Sequence, residues 1–554
     1  MRITGADIIM EVLLDHDVTT VFGYPGGAAL FTYDALYKYR DKIKHILTAH
    51  EQGACHGADG FARSTGKTGV VFATSGPGAT NLVTGIATAF MDSVPLVAIT
   101  ANVPTSMIGK DSFQEIYITG ITMSITKHNF LVNKVENLED ALRQAFRIAN
   151  SGRKGPVLVD VTKDVTAALW DYENKEPLPL DEHPNHIKED TIKEIADLVN
   201  SAERPVLYVG GGAAASGSAS IIQEFSEKAD IPLTHTMMAA GIVGYENPKN
   251  LGMLGMHGSV AANKAVDKSD LVLALGTRFS DRVALNPDKF APEAKIVQVD
   301  IDRSEINKNV LVDYSVICDV KEFLEKLMPL IMEKKHLEWD ERIEKWKGKL
   351  SQPKNEGPYL CPDDLIETVC KMTDKETVYV TDVGQHQMWA AQYLHHYNTR
   401  AFLTSGGLGT MGYGYGAAIG AQIGNPDKRV IHLTGDGSFH MNMNEACTAV
   451  SNNLPIITLI FDNRVLGMVY QWQNSFYEGR HSQTTPERVT NFKKVAEGFG
   501  AKGYEVNSIS EFQKVFKEAL KEKGPVWIDC AIDKCEKVLP MIPNGGTVAD
   551  MILD

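Results

Sequence analysis

The sequence predicts an α/β protein of three doubly wound parallel-sheet domains, the two outer ones alike and flanking the third. Three observations predict it. Ten short β-branched and apolar runs alternate with helical patterns along the chain. Two stretches without apolar periodicity cut it into three. Strings from the first third recur, in order and spacing, in the last.

In order, the runs are 69–74, 95–100, 156–161, 205–210, 271–276, 296–301, 377–382, 429–435, 455–462 and 525–531. Nearly continuous apolar runs suit strands buried on both faces, the habit of parallel sheets. Residues 171–190 mix prolines with charges, and residues 333–358 are rich in Lys and Glu and end in Gln352-Pro353-Lys354-Asn355-Glu356-Gly357-Pro358. Both read as linkers, the second preceded by a charged surface helix. The expected units are 1–170, a linker 171–190, 191–340, a linker 341–358, 359–535 and a tail 536–554. The repeat pairs Gly155–Val161 with Gly524–Cys530, Val94–Ile99 with Leu454–Leu459, and Ala73–Gly78 with Leu433–Ser438. Any parallel sheet yields some such strings, but the matched order favours duplication.

Apolar residues make up 44% of the 554 and charged residues 23%, as in ordinary globular chains. The net charge of −15 argues against a nucleic-acid binder, whose affinity rests on Lys and Arg. No apolar run reaches the length of a membrane span. The N-terminus enters a helical pattern without a signal-peptide core, and the seven cysteines form no C-x-x-C. A reducing cytoplasm is the expected setting.

The strongest local signal is Gly435-Asp436-Gly437-Ser438 at the end of a buried run, with Asn463 27 positions after Asp436, closing the next run. Ligands of parallel sheets bind at such strand ends. The glycines admit a diphosphate, a helix starting near Phe439 would point its positive end at it, and Asp436 and Asn463 offer hard oxygens to Mg²⁺. Glu51, in His50-Glu51-Gln52-Gly53-Ala54, sits among small apolar residues. Alone, such a Glu is more often a cap or an ion-pair partner. The middle third carries Gly210-Gly211-Gly212, Met256-His257-Gly258, Gly276 to Val283, Asp300-Ile301-Asp302 and Asp319-Val320. Glycine loops and acids at strand ends fit a dinucleotide, though glycine triplets also make plain turns.

The Gly-Asp-Gly and Asn463 pair resembles the metal–diphosphate motif of thiamine-diphosphate enzymes, which closes in Asn-Asn where this chain has Asp462-Asn463. Tyr24-Pro25-Gly26-Gly27, Phe113-Gln114-Glu115, Thr126-Lys127-His128-Asn129, Gly384-Gln385-His386-Gln387-Met388-Trp389, Ser405-Gly406-Gly407-Leu408-Gly409, Leu466 to Trp472 and Leu539-Pro540-Met541-Ile542-Pro543 narrow the likeness. Along essentially the whole chain, the sequence resembles the acetohydroxyacid (acetolactate) synthase large-subunit family.

That resemblance implies a transferase/carboligase of branched-chain amino-acid synthesis. It decarboxylates pyruvate on thiamine diphosphate and condenses the two-carbon unit with pyruvate or 2-ketobutyrate. Glu51 would meet the pyrimidine ring. Gly26, Gln114 and Lys127 would serve the reacting centre. Val383, Gly384, Gln385, His386, Asp436, Gly437, Ser438, Gly467 and Met468 would surround the diphosphate. Gly409 and Met411 would hold the folded cofactor, and Asp436, Asn463 and the Val465 carbonyl would bind Mg²⁺. Phe113, Lys127, Met468, Val469 and Trp472 would line the substrate path. A mainly structural FAD would lie on Gly210, Gly211, Gly212, Thr236, Met237, Met238, Met256, His257, Gly276, Arg278, Asp281, Arg282, Val283, Asp300, Ile301, Glu305, Asp319 and Val320. The resemblance also implies a homodimer or homotetramer, with one cofactor bridging two subunits, and a possible small regulatory subunit. The chain departs from the family at Ser106, at Ser280 and at Tyr415-Gly416. Alternatives are pyruvate oxidase, an FAD-free fermentative acetolactate synthase, and a degenerate binding or regulatory subunit. The last is disfavoured by Glu51, Asp436 and Asn463 occurring together.

Overall fold

The computed structural model of the protein describes residues 1–181, 185–348, 357 and 359–554. Residues 182–184 of the first expected linker, and 349–356 and 358 of the second, lie outside the described residues.

Three six-stranded parallel sheets form the molecule. The first holds Thr20–Gly23, Lys44–Leu47, Gly69–Ala73, Leu96–Asn102, His128–Val132 and Pro156–Thr162. Numbered within the sheet in chain order, they lie 2-1-3-4-6-5. The third sheet holds Val378–Thr381, Phe402–Leu403, Val430–Gly435, Ile457–Asp462, Lys502–Val506 and Val526–Ala531, in the same order. Each string of the repeat falls on equivalent strands, the third, fourth and sixth. The middle sheet holds Pro205–Val209, Leu233–His235, Asn250–Met253, Leu271–Leu275, Lys295–Asp300 and Tyr314–Ile317. Its order is 3-2-1-4-5-6, that of dinucleotide-binding sheets.

All ten expected runs contain strands. The sequence missed the six edge strands, together with Thr20–Gly23 and Leu233–His235. Edge strands are short or face solvent, so they lack the continuous apolar character that marked the rest. A further small antiparallel pair joins Arg2–Thr4 to Leu169–Asp171. Asp171 and Tyr172, expected in a linker, are thereby tied to the first unit, and Tyr172 is buried under its helices. The charged helix Leu337–Glu344 runs into the second expected linker, where Trp339 and Ile343 bury one face on the middle domain.

The first and third sheets share one apolar core. Helix Glu51–Thr65 of the first domain lies against helix Gly414–Gly424 of the third. Small residues let the backbones nearly touch. A Cβ on Gly420 would stand 1.8 Å from the Gly57 carbonyl oxygen, and one on Gly60 2.2 Å from that of Ala417. The Tyr415-Gly416 departure belongs to this seam. The Tyr415 hydroxyl accepts from Trp527 Nε1 at 3.0 Å, and Gly416 clears the Gly53 carbonyl. A buried ion-pair network crosses the same seam, with Arg63 between Asp59 (2.6 Å) and Asp92 (2.9 Å) and the Tyr413 hydroxyl donating to Asp59.

Candidate active site

In sheets of order 2-1-3, ligands bind where the order reverses, outside the carboxyl ends of strands one and three. In the third sheet that crevice gathers most of the residues singled out there. Val383 to His386 leave strand one, Asp436 to Ser438 leave strand three, and Asn463 ends strand four. Helices Gln385–Tyr393, Asp436–Asn442 and Gly467–Phe476 all begin at this rim, so their N–H groups converge on it. The glycines are close approaches. A Cβ on Gly467 would stand 2.0 Å from Gln385 Oε1, one on Gly435 2.9 Å from His386 Nδ1, and one on Gly437 2.8 Å from Leu466. The Gly412 N–H donates to Ser438 Oγ at 3.1 Å, which brings the Gly409–Met411 loop beside the Gly435–Ser438 loop. Gly409 takes a left-handed φ of 70° there, next to Val383.

Three buried carboxylates meet at the same rim. Burial, and then Asp462, pushes the Asp436 carboxyl up to about 7; burial and Asp462 push Asp529 up to about 8. Asp462, the departure from Asn-Asn, adds this charge and is partly answered by its ion pair with Arg464 at 2.7 Å. Such crowded acid suits a divalent cation, with Asp436 and the Asn463 side-chain oxygen as hard donors. Asn463 Oδ1 accepts from the Val465 N–H at 3.2 Å, which turns that chain segment toward the rim. His386 is buried, its imidazole is pushed down to about 4 by desolvation, and its Nε2 lacks a partner. An orphaned buried nitrogen at this crevice is what a diphosphate oxygen would satisfy. Among the described residues, the one cluster of three metal-capable acidic or thiol groups is Cys361, Asp363 and Asp364, at the start of helix Pro362–Met372.

The equivalent crevice of the first sheet collects Glu51, Gly26 and Gln114. Glu51 opens helix Glu51–Thr65 behind the N-cap His50 and is buried; Asn81 Nδ2 donates to its Oε2 at 2.9 Å. Gly26 lies against Thr74, 2.4 Å from a built Cβ, and Gly76 against Gln114 at 2.9 Å. Gln114 holds a left-handed φ of 62°. The hydroxyls of Thr74 and Ser75 are buried without partners, so this pocket also waits for polar groups. Sequence reasoning missed Asn81, Thr74 and Ser75 as site residues. The repeat was the available signal, because Thr74 and Ser75 occupy the loop equivalent to Asp436.

Several expected site residues lie elsewhere in the chain or are already engaged. The Lys127 ammonium folds back onto the Ile148 and Ser151 carbonyls, so the residue is not gathered with Glu51. Burial holds its pKa down to about 8. Gln385 Nε2 donates to Gln471 Oε1 and to the Glu536 carbonyl, and its Oε1 accepts from Asn463. Its side chain thus braces the tail rather than presenting a free amide. Phe113 is 88% and Val469 52% exposed. Met468 packs on the third core, and Trp472 packs with the tail cluster of Met256, Leu539 and Met541.

In the middle sheet the order reverses between Pro205–Val209 and Leu271–Leu275. Gly210, Gly211 and Gly212 follow the first and Gly276 the second. A Cβ on Gly210 would stand 2.2 Å from the Gly276 oxygen, and one on Gly211 3.2 Å from Met238. Buried oxygens of Thr236, Thr277, Gln298 and Glu305 lack partners around this crevice. The Asp300 carboxyl is pushed up to about 6 by burial. Met256 and His257 lie beneath tail residues, with the Ile542 N–H on the Met256 carbonyl. Some expected contacts have other duties. Asp319 caps helix Val320–Leu327, and Val320 sits in its core. Glu305 Oε1 pairs with Arg153 of the first domain at 2.6 Å. Asp281 and Arg282 pair loosely in solvent at 3.7 Å.

Comparison with known proteins gives each sheet a counterpart. The thiamine pyrophosphate enzyme N-terminal TPP binding domain matches residues 3–121, the central domain 192–327 and the C-terminal TPP binding domain 382–530. The chain is 45% identical to a probable acetolactate synthase large subunit of Methanocaldococcus jannaschii, over 99% of this chain and 95% of that protein. It is 42% identical to the acetolactate synthase isozyme 1 large subunit of Escherichia coli, over 100% and 98%. It is 44% identical to the mitochondrial acetolactate synthase catalytic subunit of Saccharomyces cerevisiae, over 99% and 84%. With three matched domains in this order, the chain belongs to the acetolactate synthase large-subunit family of thiamine pyrophosphate enzymes.

Proposed function

We propose that this protein is the catalytic large subunit of an acetolactate synthase, acting in valine, leucine and isoleucine synthesis. It takes pyruvate, releases CO₂, and joins the remaining two carbons to a second pyruvate or to 2-ketobutyrate. The observation that carries this is the rim of the third sheet, where three helix N-termini, close-packed glycines and crowded buried carboxylates make a seat for a metal-bound diphosphate.

Thiamine diphosphate supplies, when bound, the nucleophilic carbon and the electron sink for decarboxylating a 2-ketoacid. The chain supplies the rest. Asp436, Asn463 and the Val465 carbonyl would hold Mg²⁺, and Ser438 and His386 would take phosphate oxygens. Met411 and the Gly409 carbonyl would bind and orient the cofactor. Glu51, steadied by Asn81, would hold a proton at the pyrimidine nitrogen. Gly26 leaves room beside the reacting carbonyl for Gln114. Trp472, on the tail cluster, gives an apolar face that favours the longer ketoacid by about 1–3 kcal/mol.

The orphaned oxygens of Thr236, Thr277, Gln298 and Glu305, at the reversal of a 3-2-1-4-5-6 sheet, support an FAD that braces the fold. The net reaction transfers no electrons to it. Exposed Phe113, Tyr117 and Met123 on the first domain support assembly into a dimer or tetramer. A small regulatory subunit and a cytoplasmic setting complete the reading; no helix among the described residues is long and apolar enough to cross a membrane.

The experiment is product analysis with pyruvate, alone and mixed with 2-ketobutyrate, under anaerobic conditions. Acetolactate and acetohydroxybutyrate with the flavin left oxidised are expected. Stoichiometric flavin reduction by pyruvate would instead identify a pyruvate oxidase, and flavin-free purified protein an FAD-independent synthase.

A further inference from the structure

Glu445 is a buried acid to which nothing above gives a role. It ends the short 3₁₀ turn Met443–Glu445 that continues helix Asp436–Asn442, so it stands nine residues beyond Asp436 on one nearly continuous helical run. Its carboxylate points out of the third domain into the first. Oε2 accepts the Ala49 N–H at 3.1 Å, and Oε1 accepts the His50 N–H at 3.0 Å. The Thr448 hydroxyl donates to Oε2 at 2.6 Å. The side chain is fully buried.

Its neighbours are shaped to it. A Cβ on Gly53 would stand 2.0 Å from Glu445 Oε1, so the chain keeps a hydrogen there. The two N–H groups that Glu445 holds belong to the residues just before Glu51. They lie at the positive end of helix Glu51–Thr65, where a carboxylate is favoured. Glu51 is therefore fixed from two sides, its backbone by Glu445 and its carboxyl by Asn81. Generic cement between domains would not need a buried charge. The surrounding seam already closes through Gly57, Gly60, Gly416 and Gly420, and a buried carboxylate is costly unless its partners are placed for it.

We infer that Glu445 is a positioning residue for Glu51: it grips the Ala49 and His50 N–H groups and so sets the direction in which the Glu51 carboxyl meets the pyrimidine ring. The inference rests on the acetolactate synthase reading. It ties the diphosphate-binding helix of a chain to the catalytic acid of the same chain.

The test uses the full-length holoenzyme and two readouts, deuterium exchange at the thiazolium C2 of bound thiamine diphosphate and cofactor affinity by fluorescence titration with Mg²⁺. Glu445→Gln places an amide N–H₂ where an N–H needs an acceptor. It is expected to slow exchange about 10- to 100-fold, the scale of an ångström-level misplacement, with cofactor affinity nearly unchanged. Thr448→Val, a milder change, is expected to shift exchange in the same direction by a smaller factor. It keeps the test alive if Glu445→Gln fails to fold. In a Glu51→Gln background, Glu445→Gln is expected to add no further slowing, because the two act through one contact. Unchanged exchange in Glu445→Gln and Thr448→Val, or effects that multiply in the double variant, would overturn the inference. Wild-type exchange in Glu51→Gln alone would overturn the role of Glu51 itself.

Discussion

Asp160 and Asp529 occupy the same place in the two outer sheets, on strand six beside strand four. Asp160 is paired opposite Thr100 and accepts from Thr100 Oγ1 at 2.7 Å and Asn102 Nδ2 at 2.6 Å. Burial still wins over these bonds and pushes its carboxyl up to about 6. The folded protein therefore keeps a proton that the unfolded chain releases near pH 4. Its contribution to stability is full below about pH 4 and is lost as pH rises through about 6, at a cost near 3 kcal/mol. Denaturant titrations from pH 4 to 7 should accordingly give a shallower decline for Asp160→Asn than for the unaltered protein. Equal slopes would mean that the acid is not shifted. The sequence aligned Asp160 with Asp529 by position but could not reveal their burial, because a polar residue closing an apolar run also fits an exposed strand end. Asn81, Thr74 and Glu445 were hidden for a related reason. Each matters through a contact across the fold, and neither periodicity nor local spacing encodes those.

At the scale of elements, the pairing of helices Glu51–Thr65 and Gly414–Gly424 fixes how the outer domains sit. Gly420→Ala gains helix propensity of up to about 1 kcal/mol, yet its methyl would stand 1.8 Å from the Gly57 oxygen. Overpacking of this kind costs about 1–3 kcal/mol and should lower the urea midpoint. Gly498, near the end of helix Phe492–Phe499, has nothing within 4 Å of a built Cβ. Gly498→Ala should raise the unfolding free energy by roughly 0.5–1 kcal/mol, and the midpoint with it, because it only narrows the unfolded chain. A fall in both would mean that the seam is not the tight spot. Most central strands were legible because burial on two faces writes a continuous apolar run; Thr20–Gly23 and Leu233–His235, short strands beside an edge, were not. The edges were not, and neither was the helix seam, whose glycines read as turn residues until the partner helix is seen.

At the scale of the molecule, the duplicated 2-1-3-4-6-5 sheets place the buried acid Glu51 at one crevice and, at the other, the glycine loop and crowded carboxylates proposed to seat a metal-bound diphosphate. The Gly-Asp-Gly and Asn463 spacing already put these residues at neighbouring strand ends, where the structure has them. The first-domain crevice needed the family likeness to single out Glu51, since a lone Glu at a helix start is ordinary. Lys127, singled out by motif, has its ammonium on backbone carbonyls of its own domain, a contact that no local spacing reveals. One cofactor held between two copies of the chain would join the two crevices. The direct measurement is acetolactate formation from pyruvate with Mg²⁺ and thiamine diphosphate, for Glu51→Gln and Asp436→Ala separately and after subunit exchange. Each variant alone should fall about 100-fold or more. The exchanged mixture should recover about a quarter of the original rate, since half of its dimers would carry one intact site. A Glu51→Gln enzyme that works at nearly the original rate, or a mixture no better than its parts, would contradict it.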